Sequence, residues 1–489
     1  MRSDLRLWFL PRIQDIFFAL FFIAVLALGT QMLNLDGDLP RHLLMGRYML
    51  QSRTVPTTEL FIYPYLGQPY VPHEWLTDVM FYLIYSIWNW AGLVLVAALL
   101  LATTFTLLYK GLSQRLGFHL PVLILVAWGA IATSINWAIR PHLVSMCLLA
   151  VWLLRTDDLQ RGKKIPVWQF PAVMLLWSNL HGEFIAGILV LLAYAFGWTL
   201  ETVFDRSRAD MRIGKNIWLA LLLSFLASLI NPSGAGPWLS ILGFVNNEYL
   251  MSRMVEANAP NFQNPEMRVL LSLLAASIVL LAVKKSRLSL GQGFLLAGFS
   301  AMSLIAIRNI HLYGIVAPFV MAKSLDEITH FPLVQRLERS LEIMEGRLKG
   351  SIWTAIVLVA LGSLVTLSDR AQGLYQLKEP IFPVQAVNWL ENHPQQGYMF
   401  NDLNWGGYLG LHLWPDQLTF VDSMADTTGH VTMKYETIIT LQVGWQELFE
   451  QYNITWAIVP VNWQLAKELK AQGWKTAYQD QTAVILIRE

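Results

Sequence analysis

Asp36, Asp38 and His42 stand at the head of a polar stretch that follows the first apolar run. Asp38 and His42 are four residues apart. On a helix that spacing sets a carboxylate and an imidazole on one face, able to share a divalent cation or one anionic group. Asp36 adds a second carboxylate. An oxygen-rich set with one imidazole favours Mg²⁺ or Mn²⁺ over zinc, so Asp36, Asp38 and His42 are candidate metal ligands as well as candidate catalytic groups. The stretch closes on His73 and Glu74, two further catalytic candidates, just before Trp75. The plainer alternative is that the aspartates end a membrane span in water and Trp75 anchors an interface.

Three later turns carry the same kinds of side chain. Arg140 and His142 flank Pro141, His181 and Glu183 flank Gly182 inside an apolar hairpin, and Arg308 and His311 sit at the end of another apolar run. A guanidinium can grip a phosphate through paired N–H groups, or meet a lipid headgroup. Ionisable side chains at membrane depth are costly and point to function. Jointly these residues suit a reaction at a phosphate-linked donor. The leaving phosphate needs its charge neutralised, and a carboxylate must take the acceptor's proton. Arg140, His142, His181, Glu183, Arg308 and His311 are therefore candidates for donor-phosphate binding.

Such a pocket needs elements that bring distant turns to one face. The chain has 489 residues, 55% hydrophobic and 14% charged, which describes a polytopic α-helical membrane protein. Its net charge of +1 gives no reason to expect a nucleic-acid partner. The single cysteine, Cys147, excludes an intramolecular disulfide framework and a multi-cysteine metal site. About eleven apolar runs approach the length of a membrane-spanning helix. The first, residues 16–35, is too long for a signal-peptide core and reads as a retained span.

The connections between runs alternate in character. One set is cationic: Arg2, Arg6 and Arg12; Lys110 and Arg115; Arg155, Arg161, Lys163 and Lys164; Arg206, Arg208, Arg212 and Lys215; Lys284, Lys285 and Arg287; and a charged segment from Asp326 to Gly350. The other set holds the candidate site residues. Roughly twenty Lys and Arg fall on the first side against fewer than ten on the second, which places the N-terminus and the cationic connections in the cytoplasm. The expected organisation is a transmembrane unit, 1–368, with a long first outer loop, 36–90, and an extracytoplasmic domain, 369–489. Within that loop, residues 75–90 read as an amphipathic segment leading into a span at 91–109.

The tail reads as a soluble α/β domain with a parallel or mixed sheet. Strands are expected at 398–400, 418–421, 455–459 and 483–487, with helices at 384–391, 405–413 and 464–471 and two more around Tyr435 and Glu447. No phosphate-binding glycine loop or nucleophile elbow occurs at a strand end.

The layout resembles the GT-C superfamily of polytopic glycosyltransferases, which use polyprenyl-phosphate or -diphosphate sugars. The resemblance matches Asp36 and Asp38 to the acidic motif of the first outer loop. The text through Gly46-Arg47, Pro56-Thr57-Thr58 and His73-Glu74-Trp75-Leu76 is similar to a group of bacterial membrane proteins of this plan. Where that group has Asp-Pro-Asp-x-Trp-Trp-His, this chain has Leu39-Pro40-Arg41 before His42, and Glu183 replaces the second glycine of its Leu-His-Gly-Gly-Phe hairpin. Asn404-Trp405-Gly406-Gly407-Tyr408 is similar to the Trp-Trp-Asp-Tyr-Gly region of oligosaccharyltransferase catalytic subunits, although the motif's Asp is replaced by glycine. It implies acceptor binding near Asp402, Trp405 and Asp422; the alternative is that Trp405 packs a core and the glycines make a turn.

The resemblance implies a glycosyltransferase of the bacterial inner membrane, multi-pass, with its C-terminal domain in the periplasm. It would move a sugar from a polyprenyl carrier to a periplasmic glycan, lipid or protein; a divalent cation is the cofactor that the residue types of Asp36, Asp38 and His42 would allow. Two other readings stay open: a non-enzymatic scaffold or partner subunit, and a lipid or solute transporter. Against the transporter, no inverted repeat or matched pair of broken spans is present in the sequence.

Overall fold

The computed structural model describes residues 9–204, 210–282, 288–325, 332–348, 350–423 and 429–488. Arg2, Arg6, Arg206, Arg208, Lys284, Lys285, Arg287 and Asp326 of the expected cytoplasmic face lie outside them. The described residues form a helical body followed by a small α/β unit. In chain order the body comprises α1 (Ile13–Leu33), α2 (Asp38–Ser52), α3 (Trp75–Leu116), α4 (Leu120–Thr133), α5 (His142–Gln160), α6 (Gln169–Leu180), α7 (Phe184–Phe204) and α8 (Met211–Ser228). It continues through α9 (Gly236–Val245), α10 (Glu248–Arg253), α11 (Met267–Ala282), α12 (Leu290–Ile305), α13 (Ile310–Met321), α14 (Pro332–Arg347), α15 (Ser351–Leu367) and α16 (Asp369–Leu374).

Among the described residues three helices, α1, α3 and α7, are long and apolar enough to cross a membrane, and α14 with α15 would make a fourth as one bent span. The chain is thus a multi-pass membrane protein, but the helix lengths do not carry the expected count of eleven. Several other apolar helices are shorter, 10–17 residues. They stop early because polar turns interrupt them: α4 runs into a tight 3₁₀ turn at Ser134–Asn136, and α6 ends where His181 turns extended. The amphipathic segment and the second span are one helix, α3, broken at Trp88 and Asn89, where Asn89 takes φ of 49°.

Close crossings depend on small residues. A Cβ on Gly129 of α4 would lie 2.3 Å from the Gly314 carbonyl of α13. The predicted inner cations Arg115, Arg161 and Lys163 gather at one pole around Asp157 and Asp158, joined by Lys323. Helix α5 starts at His142 and ends beside this cluster. Its 19 residues separate the two poles by about 28 Å.

The tail comprises α17 (Val384–Asn392), β1 (Tyr398–Asn401), α18 (Leu403–Leu413), α19 (His430–Ile439), α20 (Trp445–Gln451), β2 (Ile454–Pro460), α21 (Gln464–Ala471), β3 (Lys475–Gln479) and β4 (Ala483–Ile487). The sheet order is β1-β2-β4-β3, with β1 and β2 parallel and the other pairs antiparallel. Side chains alternate between its faces. Met399, Trp456, Ile458 and Ile485 face the core shared with the helical body, while Phe400, Ala457, Val459, Val484 and Leu486 face the outer core with α20 and α21.

Two expectations about strands need correction. Lys475–Gln479 is an edge strand whose polar, half-exposed sequence gave no apolar signal. Residues 418–421 do not join the sheet. They pair instead with the first outer loop: Thr419 N–H donates to Phe61 O at 2.9 Å and Tyr63 N–H to Thr419 O at 3.0 Å. Apolar alternation marks this stretch as able to pair, but cannot say with what.

Candidate active site

The acidic motif sits where α1 gives way to α2. Asp36 Oδ1 accepts the Asp38 backbone N–H at 3.0 Å, so a carboxylate satisfies one of the free donors at the start of α2. This turns Asp36 Oδ2 toward Arg140, whose Nε donates to it at 2.9 Å. Nη2 of the same guanidinium lies 2.8 Å from Asp38 Oδ2, and Nη1 donates to Glu256 Oε2 at 3.1 Å. Glu256 belongs to a 3₁₀ turn, Val255–Ala257, held by the Ile307 N–H on the Asn258 carbonyl. Arg308 approaches the other Glu256 oxygen at 3.6 Å. Four turns distant in sequence thus meet around one guanidinium.

Although His42 shares α2 with Asp38, it turns to another partner. Its Nδ1 lies 2.8 Å from Asp78 Oδ1 and 3.7 Å from Glu74 Oε2. Glu74 Oε1 is 3.1 Å from His181 Nε2 and 3.8 Å from His73 Nε2. His181 Nδ1 is 2.8 Å from Ser145 Oγ and 3.5 Å from Glu183, whose other oxygen is 2.9 Å from His311 Nε2. The His311 ring lies 5.2 Å from that of His142. The result is a continuous file of imidazoles and carboxylates, most of it buried.

The electrostatics follow from burial and from these partners. Burial pushes the Asp38 carboxyl up to about 6 against the pull of Arg140, and the neighbouring Asp36 carboxylate adds to the rise. Burial alone would lower the His42 imidazole, but Asp78 and Glu74 more than reverse this and carry it up to about 9. Burial likewise opposes ionisation of Glu74, yet His73, His181 and His42 hold it well below the usual carboxylate range. Arg140 is held firmly protonated by Asp38, Asp36 and Glu256, against its own burial. At neutral pH the site therefore presents a carboxylate of raised basicity beside fixed guanidinium and imidazolium charge.

The residues expected to bind the acceptor lie in the tail, in different settings. Asp402 caps α18, accepting the Asn404 and Trp405 backbone N–H groups at 2.8 and 3.3 Å. Trp405 is buried, its indole N–H donating to Ile381 O at 2.9 Å. Asp422 lies 2.7 Å from Arg41 Nε, and Arg41 also pairs with Glu59 at 2.9 Å. Asp402 and Trp405 line, together with Asp36, Gly37, Ile381 and Thr482, a cavity of about 520 Å³ between the tail and the start of α2.

Asp78, Glu256, Glu59 and Arg41 went unassigned in the sequence. Asp78 carried a signal, an acid within a largely apolar helix. Glu256 carried none beyond lying in an outer loop.

The metal expectation does not fit this arrangement. Arg140 stands against both carboxylates that would hold the ion, and His42 faces Asp78 instead. Among the described residues no group of three or more His, Cys, Asp or Glu side chains is gathered to hold a metal ion.

Comparison with solved structures shows the fold. The archaeal oligosaccharyltransferase AglB from Archaeoglobus fulgidus, in complex with an inhibitory peptide and a dolichol-phosphate, superposes with a TM-score of 0.61 at 11% identity. The match covers 96% of this chain and 74% of that one. The apo form of the Archaeoglobus fulgidus oligosaccharyltransferase matches with a TM-score of 0.55 at 11% identity over 92% and 70% of the two chains. ArnT from Cupriavidus metallidurans, bound to undecaprenyl phosphate, matches with a TM-score of 0.52 at 13% identity over 96% and 97%. The chain shares the overall fold of these structures. No known protein family and no curated protein sequence matches it.

Proposed function

We propose that this protein is a membrane glycosyltransferase that moves a sugar from a polyprenyl-phosphate or -diphosphate carrier to an extracytoplasmic acceptor. The observation that carries the reading is the convergence of Asp36, Asp38 and Glu256 on Arg140, beside the buried file of imidazoles. A GT-C fold supports it, since fold neighbours were solved with dolichol-phosphate and undecaprenyl phosphate. In this reading residues 1–368 form the catalytic unit in a bacterial inner membrane and 369–489 lie in the periplasm.

The chemistry assigns each group a task. Asp38, in its ionised form, takes the proton from the acceptor hydroxyl or amide as that atom bonds to the sugar's anomeric carbon. The bond from that carbon to the carrier phosphate breaks, and the phosphate leaves with the electron pair. Arg140 has five N–H groups and gives three to carboxylates, so two remain for phosphate oxygens. His181, held by Glu74, adds positive charge to the site, and Glu183 positions His311. The cavity by Asp36, Asp402 and Trp405 is where the acceptor would approach.

The test uses purified full-length protein and a panel of undecaprenyl-phosphate and -diphosphate sugars, with products read by mass spectrometry. Asp38→Asn is expected to reduce transfer by at least about a hundredfold while the unfolding temperature stays near that of the wild type. Undiminished transfer by Asp38→Asn would remove the proposed base.

A further inference from the structure

We infer that Arg140 is the resident cation of this site, standing where a divalent metal would otherwise neutralise the acidic motif, so that the protein works without one. The inference deepens the reading above by naming the charge that meets the carrier phosphate.

Three nitrogens of one side chain meet three carboxylates. Nε is 2.9 Å from Asp36, Nη2 is 2.8 Å from Asp38 and Nη1 is 3.1 Å from Glu256. Each carboxylate comes from a different place: the end of α1, the start of α2 and the turn before α11. A planar guanidinium satisfies all three in directions that its rigid fork dictates. A Mg²⁺ or Mn²⁺ ion would need the same carboxylate oxygens at about 2.1 Å. It would then sit against a positive group that is within hydrogen-bond distance of those oxygens and cannot lose its proton.

The remaining ligand of the expected set is also engaged elsewhere. His42 Nδ1 is directed at Asp78 and Glu74, 2.8 and 3.7 Å away. Charge balance argues the same way. Three carboxylates already face two guanidinium groups, Arg140 and Arg308, leaving little excess negative charge to draw in a divalent ion. Unlike an exchangeable metal, this cation is part of the chain and keeps donors free toward a phosphate.

The test is Mn²⁺ titration followed by electron paramagnetic resonance on the detergent-purified full chain, with no donor or acceptor present. Wild-type protein is expected to show no saturable site below about 1 mM. Arg140→Ala, which exposes the three carboxylates to each other, is expected to gain one site at least tenfold tighter, and Asp38→Asn in that background to lose it. A wild-type site of micromolar affinity that Asp38→Asn removes would overturn the inference, as would a folded Arg140→Ala protein with no gain. If Arg140→Ala does not fold, Arg140→Gln repeats the comparison and the wild-type titration still decides. Transfer by wild-type protein should survive EDTA; loss on EDTA with recovery on Mn²⁺ also refutes it. Because the titration needs no turnover, a protein silent to Mn²⁺ that transfers no sugar would sink the proposed function and leave the cation assignment standing.

Discussion

At Asp38 the proposed chemistry and the electrostatics make a joint demand. A free aspartate titrates near 4, whereas burial raises this one to about 6. The base is active only when ionised, so transfer should fall as pH drops through about 6 and be restored above it. The neighbouring Asp36 carboxylate contributes to the rise, so Asp36→Asn should move that acidic limb to lower pH. A pH-rate profile of wild type and variant, measured with one donor, reads both. A wild-type limb at or below about 4.5 would mean that some other group is the base. The partner of Asp38 lies about a hundred residues away, at Arg140, which no local pattern could reveal.

Between elements, α2 meets α18 through glycines. A Cβ on Gly37 would stand 2.2 Å from the Asn404 carbonyl oxygen, and one on Gly407 would stand 2.9 Å from the Arg41 backbone and side chain. Gly37 has φ of −87°, a conformation open to any residue, so its need is for space. Gly37→Ala should therefore lower stability by about 1–3 kcal/mol through overpacking and reduce transfer, because the same junction holds Asp36 and Asp38. Gly373 in α16 has open space around its Cβ position, and Gly373→Ala should leave both nearly unchanged. Unfolding curves in detergent together with transfer assays check the pair, and equal effects at both sites would deny the contact its importance. The Gly406-Gly407 pair stood out in the sequence as a turn or a motif remnant. In the structure it lies within a helix and permits a crossing.

Over the whole molecule, the tail is locked to the helical body by the first outer loop. Arg41, only 2% exposed, lies 2.9 Å from Glu59 and 2.7 Å from Asp422, with its guanidinium over the Phe61 ring. The backbone pairing of Thr419 with Phe61 and Tyr63 closes the same seam. Removing the cation takes the guanidinium away from two buried carboxylates, so Arg41→Ala should destabilise the protein by about 3–5 kcal/mol. Arg41→Met combined with Glu59→Gln and Asp422→Asn should recover part of that loss, since a neutral buried set carries no charge that needs the missing guanidinium. Thermal unfolding and protease sensitivity of the tail report the outcome, and an Arg41→Ala protein as stable as wild type would show that the seam is held elsewhere.

Composition and hydropathy by themselves determined that this is a multi-pass membrane protein with an α/β tail, because apolar length and period-two alternation are local properties that burial reads directly. Chain order and residue type also singled out the acids, imidazoles and guanidinium groups, since ionisable groups stand out in an apolar chain. Only the tertiary structure decided how they pair: Arg140 between Asp36, Asp38 and Glu256, His42 with Asp78, Asp422 with Arg41, and residues 418–421 with the loop rather than the sheet. Ion pairing depends on distances of a few ångströms between segments that sequence spacing leaves unconstrained. Which carboxylate meets which cation is therefore fixed when the helices close on each other.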